Sequence, residues 1–145
     1  MSEILGHMYQ DDTATNIAVA ATDTDYIVTG MSCNIKRGMV FQNGKEFKIV
    51  TPGIYRVSWQ TSFTSENANQ DIEGAIGIGG TRVASTSSHR KIATGTDTGN
   101  MSGQGILILA VDNLVQLVVR NETSTGDIII QHTQLTISLE TEKVG

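Results

Sequence analysis

The sequence predicts an all-β fold: eight to ten short strands that close into a sandwich or a barrel. Three observations predict it. Apolar residues recur with period two over most of the chain, most plainly in residues 53–63, GIYRVSWQTSF. Turn signals return about every ten residues. The composition is rich in Thr, Ser, Val and Ile, with 15 Gly and a single Pro, which suits strands and tight turns rather than helices.

Each element follows in order. Residues 1–14 read as an N-terminal arm. Ile4, Leu5, Met8 and Tyr9 allow a short helical turn, and the segment either frays or docks onto a neighbour. Ile17, Val19 and Ala21 begin the alternation, and 26–28 resume it after a turn at 22–25. Residues 39–42 and 47–50 flank Asn43–Gly44, a strong hairpin signal. Pro52 precedes the clearest strand, where a missing N–H does no harm. That strand puts Tyr55, Val57, Trp59 and Phe63 on one face and Arg56, Ser58, Gln60 and Ser62 on the other.

After a polar loop at 64–70, residues 72–78 and 81–85 flank Gly79–Gly80, a second two-residue hairpin. Residues 86–100 read as a long loop or an edge strand. The unbroken apolar run 106–111 predicts a strand covered on both faces. Asp112–Asn113 turns it into 114–119. A loop at 121–127 leads to the last strands, 128–130 and 135–139, and 141–145 form a tail. Residues 15–140 form one domain, as the 145-residue length allows.

The charge pattern narrows function. Net charge is −5, and no run of Lys or Arg exceeds two, at Lys36–Arg37 and Arg90–Lys91. A surface that tracks phosphates needs clustered cations, so no nucleic-acid partner is expected. The lone Cys33 has no partner for an intrachain disulfide and reads as a small hydrophobe. No run approaches the roughly 18 apolar residues of a membrane helix, and the N-terminus lacks a basic, apolar leader. The expectation is a protein made in a host cytoplasm, with no membrane partner.

Catalytic and metal patterns are not found. His7, His89 and His132 are scattered. Asp23 and Asp25 flank Thr24 as calcium ligands sometimes do, but without the Gly and distal Glu of a calcium loop. Gly74, Gly77, Gly79 and Gly80 precede no helix and do not make a phosphate loop. No Gly-x-Ser-x-Gly elbow is present. The Asn100 and Asn121 sequons matter only in a secreted chain. The prediction is no enzyme, no cofactor and no metal.

Residues 47–63, FKIVTPGIYRVSWQTSF, resemble the signature of the tumour necrosis factor and complement-type globular heads: a Phe, a short strand, a Pro-Gly turn, then Gly-x-Tyr-x-hydrophobic. The matching positions are Phe47, Pro52, Gly53, Tyr55 and Val57, with Phe63 at the far end. Ser102–Gly103, residues 106–109, Asp112, Val115 and Leu117 resemble the family's second half. Val111–Asp112–Asn113 stands where the family usually has Gly-Asp, and the last strand, TQLTISLE, lacks an aromatic-rich ending.

The resemblance implies a ten-strand jelly roll that assembles as a compact homotrimer. It places 53–63 in the inner sheet facing the threefold axis, which makes Tyr55, Val57, Trp59 and Phe63 candidate trimer contacts; plain core is the competing reading of each. Lone jelly rolls rich in Gly and Thr and poor in Cys look like bacteriophage virion proteins. The expected role is a capsid decoration, or cement, protein on the virion surface, whose partner is the viral major capsid protein and whose candidate lattice contacts are Ile4, Leu5, Met8 and Tyr9 of the arm. The alternative is the receptor- or glycan-binding head of a phage fibre or spike.

Overall fold

The computed structural model describes residues 3–12 and 14–142. Met1, Ser2 and Thr13 of the predicted arm, and 143–145 of the predicted tail, lie outside the described residues. Thirteen strands run in order: β1 Leu5–Gln10, β2 Thr15–Ile17, β3 Tyr26–Ile27, β4 Ser32–Arg37, β5 Met39–Gln42, β6 Glu46–Ile49, β7 Gly53–Ser65, β8 Gln70–Ile78, β9 Thr81–Arg82, β10 Ser88–Ile92, β11 Gly99–Leu109, β12 Leu114–Asn121 and β13 Ile128–Thr141. Three are stubs of two or three residues, β2, β3 and β9, and the rest make the expected ten. A single 3₁₀ turn, Ala84–Thr86, is the helical element among the described residues.

Two antiparallel sheets result. Sheet A has the order β11-β7-β13-β1-β4, with β2 on β13. Sheet B has the order β10-β8-β12-β6-β5, with β3 on β12 and β9 on β8. Strands far apart in sequence are neighbours, which is the jelly-roll pattern. Both predicted hairpin turns form with left-handed backbones, at Asn43 (φ 58°) and Gly44 (φ 63°), and at Gly79 (φ 60°) and Gly80 (φ 85°).

The core lies between the sheets. From sheet A come Met8, Tyr55, Val57, Trp59, Phe63, Leu135 and Ile137; from sheet B come Phe47, Ile49, Ile72, Ile76, Val115 and Leu117. Each large side chain so buried contributes about 1.5–3 kcal/mol. Tyr55 stays in this core because its hydroxyl donates to the Thr51 carbonyl at 2.5 Å, and burial pushes its pKa up. Asn121, fully buried, ties the loops of one end together. Its Nδ2 donates to Gln70 Oε1 at 2.9 Å and to the Gly126 carbonyl at 3.0 Å. Its Oδ1 accepts from the Thr123 and Ser124 amides.

Several expectations are corrected. The N-terminal segment is not an arm: β1 sits inside sheet A, paired with β13 on one side and β4 on the other. Gly6, Met8 and Gln10 point inward while Leu5, His7 and Tyr9 point outward, a period of two that a helical reading of Ile4, Leu5, Met8 and Tyr9 overlooks. Of the two readings of 86–100, a long loop or an edge strand, the edge strand holds for Ser88–Ile92: β10 is the outermost strand of sheet B, and β11 begins at Gly99. The two predicted C-terminal strands are one, β13, with a register shift between Ile130 and His132.

Candidate functional site: the outer face and edge of sheet A

A sandwich buries one face of each sheet and leaves the other for partners. In sheet A the exposed set comes from alternate residues of four long strands. β7 contributes Arg56, Ser58, Gln60 and Ser62, and β13 contributes His132, Gln134, Thr136 and Ser138. β1 adds Leu5, His7 and Tyr9, in register with Ser138, Thr136 and Gln134. β11 adds Asn100, Ser102, Gln104, Ile106 and Ile108.

The four candidate trimer contacts lie on the other face. Tyr55, Val57, Trp59 and Phe63 are buried within one chain, with Trp59 at 3 % exposure the most open. A side chain already packed between two sheets has no surface left for a second copy, so the surface that β7 offers is that of its outward residues, Ile54, Arg56, Ser58, Gln60, Ser62 and Thr64. The candidate lattice-contact residues divide in the same way. Ile4 and Met8 are core; Leu5 and Tyr9 are half-buried on the outer face.

The polar part of this face forms a groove of about 610 Å³ that runs from Asn34 and His7 to Asn100 and Ser102. Amides, hydroxyls and two imidazoles line it. His7 and Tyr9 stack with ring centroids 6.1 Å apart, and His7 Nδ1 lies 2.6 Å from Asn34 Oδ1. His132 Nδ1 lies 3.0 Å from Asp11 Oδ1 at one end. Arg56 Nε donates to Glu140 Oε1 at 2.8 Å, outside the groove. No group of three or more His, Cys, Asp or Glu among the described residues is placed to hold a metal ion.

The apolar part was missed by reading the run 106–111 as covered on both faces. Leu107 and Leu109 pack inward, but Ile106 is 59 % exposed and Ile108 71 %. The signal was available. Met101, Gly103, Gly105, Leu107 and Leu109 alternate with Asn100, Ser102 and Gln104, and the same period assigns Ile106 and Ile108 to the solvent side. Their strand is also an edge. Among the described residues β11 pairs only with β7, over eleven residues without a register shift, and it carries no charged side chain. Of the other edges, β10 carries His89, Arg90 and Lys91, β4 carries Lys36, Arg37 and a register shift in its partner at His7/Met8, and β5 is uncharged but only four residues long.

The remaining candidates are structural. Asp25 is held by Arg120 Nε at 2.9 Å and accepts from the Arg82 backbone N–H at 3.3 Å. Arg82 in turn contacts Glu73. Cys33 is half-buried, its thiol donating to the Ile35 carbonyl at 3.3 Å. Of the two sequons, the Asn121 amide is fully buried and fully engaged.

No protein-family model and no curated protein matches the chain. Solved structures match it over nearly its whole length. Eiger, a tumour necrosis factor from S. frugiperda, superposes with a TM-score of 0.63 at 12% identity, covering 99% of this chain and 96% of that one. Murine APRIL, in a crystal structure at pH 5.0, gives 0.67 at 12% identity, covering 95% and 99%. The fold is that of the tumour necrosis factor and complement-type globular heads. The globular domain of the zebrafish complement 1qA protein agrees, at a TM-score of 0.58 and 12% identity over 97% and 99%. Identity at this level speaks for the fold, which the Phe47, Gly53, Tyr55 and Val57 pattern anticipated.

Proposed function

We propose that this head is a non-enzymatic structural protein that works by self-association and avid binding: a homotrimer that decorates and stabilises a viral capsid. The observation that carries self-association is the β11 edge. Eleven uncharged residues with Ile106 and Ile108 turned to solvent are an aggregation hazard in a lone molecule and a natural contact in an assembly. The jelly-roll fold supports a trimer, since that is the assembly its family resemblance implies. The polar outer face of sheet A, next to the same edge, gives the neighbouring copy a surface rich in hydrogen-bonding groups.

Binding then follows from number. Three identical heads that meet several identical lattice sites multiply weak contacts through effective concentration. A partner that binds the closed shell and not its free subunits stabilises the shell by mass action. The compositional likeness to phage virion proteins points to the major capsid protein as that partner and to the capsid surface as the location. The test is cosedimentation with the cognate capsid. Saturable pelleting, with a higher temperature of shell disruption, supports the reading; a protein that stays in the supernatant at every concentration contradicts it.

A second reading, a glycan-binding head, is favoured by one observation: Tyr9 and His7 stack beside the amides of Asn34 and Gln134 in an open groove, a combination suited to sugar hydroxyls and ring faces. A glycan array read with the native protein separates the two readings.

A further inference from the structure

The turn between β5 and β6 carries chemistry that neither assembly nor binding uses. Asn43 is followed by Gly44, the sole Asn-Gly pair in the chain, and its side chain is exposed. The backbone hydrogen bonds of the turn run from Lys45 N–H to the Gln42 carbonyl and from Met31 N–H to the Gly44 carbonyl. The Gly44 N–H is used by neither. Asn43 Nδ2 donates to Glu46 Oε2 at 3.2 Å. Glu46 is itself a buried carboxylate, 3 % exposed, which also accepts from Gln42 Nε2 and from Gln116 Nε2, both at 2.8 Å.

We propose that Asn43 is a site of spontaneous deamidation and that Glu46 is the group that makes the change felt. The reactant beyond the chain itself is water. The Gly44 nitrogen loses its proton to solvent and bonds to Asn43 Cγ, unhindered because Gly44 has no side chain. The Cγ–Nδ2 bond breaks, and Nδ2 leaves as ammonia with a proton from solvent. Water then opens the cyclic imide at one of its two carbonyls, which leaves an aspartate or an isoaspartate. Nothing is oxidised or reduced.

The consequence follows from the hydrogen-bond inventory. The amide is a donor to Glu46; its product is an acceptor with a negative charge. Attraction becomes repulsion beside a buried anion. An isoaspartate also lengthens the backbone inside a turn whose register is fixed by the Gln42 to Glu46 pair. The disturbance reaches beyond the hairpin, because Gln116 accepts from the Gly80 amide at 2.7 Å and Gly44 holds Met31.

The test ages the full chain at mildly alkaline pH, beside a sample in concentrated urea, and maps peptides by mass and by isoaspartyl methyltransferase labelling. The expected result is conversion of the folded protein at Asn43, ahead of the exposed Asn100, which precedes Met101. Conversion confined to the urea sample overturns the site. Asn43→Asp serves as the product. It is expected to melt several degrees below the wild type at neutral pH, with the deficit lost in a Glu46→Gln background. An Asn43→Asp variant that melts with the wild type overturns the role of Glu46.

Discussion

Trp59 Nε1 donates to the Thr86 carbonyl at 2.9 Å, and this bond closes one side of the sandwich. Trp59 belongs to sheet A; Thr86 belongs to the 3₁₀ turn between two strands of sheet B. Gly103 of β11 is the third party. A Cβ there would stand 2.3 Å from the Thr86 carbonyl and 2.6 Å from Trp59 Nε1. Gly103→Ala is therefore expected to destabilise by about 1–3 kcal/mol through overpacking. Trp59→Phe, which leaves the buried carbonyl unpaired, is expected to cost about 1–3 kcal/mol for the lost partner alone. Urea denaturation of both variants checks this.

The sandwich was legible because the strands that carry it alternate over their whole length, as residues 53–63 do, and because Asn43–Gly44 and Gly79–Gly80 mark their turns without ambiguity. Leu5–Gln10 was not. A six-residue strand with a Gly and a Gln on its inward face offers little hydrophobic contrast, and its partners lie far away in sequence. The candidate trimer contacts Tyr55, Val57, Trp59 and Phe63 rest on the family resemblance, which turns residues 53–63 toward a threefold axis; within one chain all four are core, the competing reading. Ile106 and Ile108 were hidden inside an unbroken apolar run, where burial on both faces and exposure on one read alike.

Glu46 makes stability depend on acid. Burial raises its pKa, but the hydrogen bonds from Gln42, Gln116 and Asn43, with the charge of Lys45, outweigh that and leave it below the ordinary value of 4.5. The folded state thus binds this proton less readily than the unfolded chain does. The stabilisation is present above the unfolded value and is lost as pH falls through the folded one. Glu46→Gln is expected to be less stable than the wild type at neutral pH, with the gap narrowing below about pH 4.5. Melting temperatures across that range measure it.

Asn121 is the keystone of the loop end. Asn121→Ala removes two donors and one shared acceptor from a fully buried site, and leaves Gln70 Oε1 to Ser124 alone. The expected loss is roughly 3 kcal/mol. Hydrogen exchange should rise at the Thr123 and Ser124 amides, which lose their acceptor, and stay unchanged in β7.

The β11 edge makes the proposal for assembly directly testable, because Ile106 and Ile108 contribute little to the fold of one chain. Substitutions at such exposed positions usually stay within about 0.5 kcal/mol. The decisive measurement is the solution mass by light scattering of the wild type and of the Ile106→Lys/Ile108→Lys variant. The account predicts three times the 15.6 kDa chain mass for the wild type and a single folded chain for the variant. A wild type that runs as a single chain, or a variant that keeps the trimer mass, contradicts it.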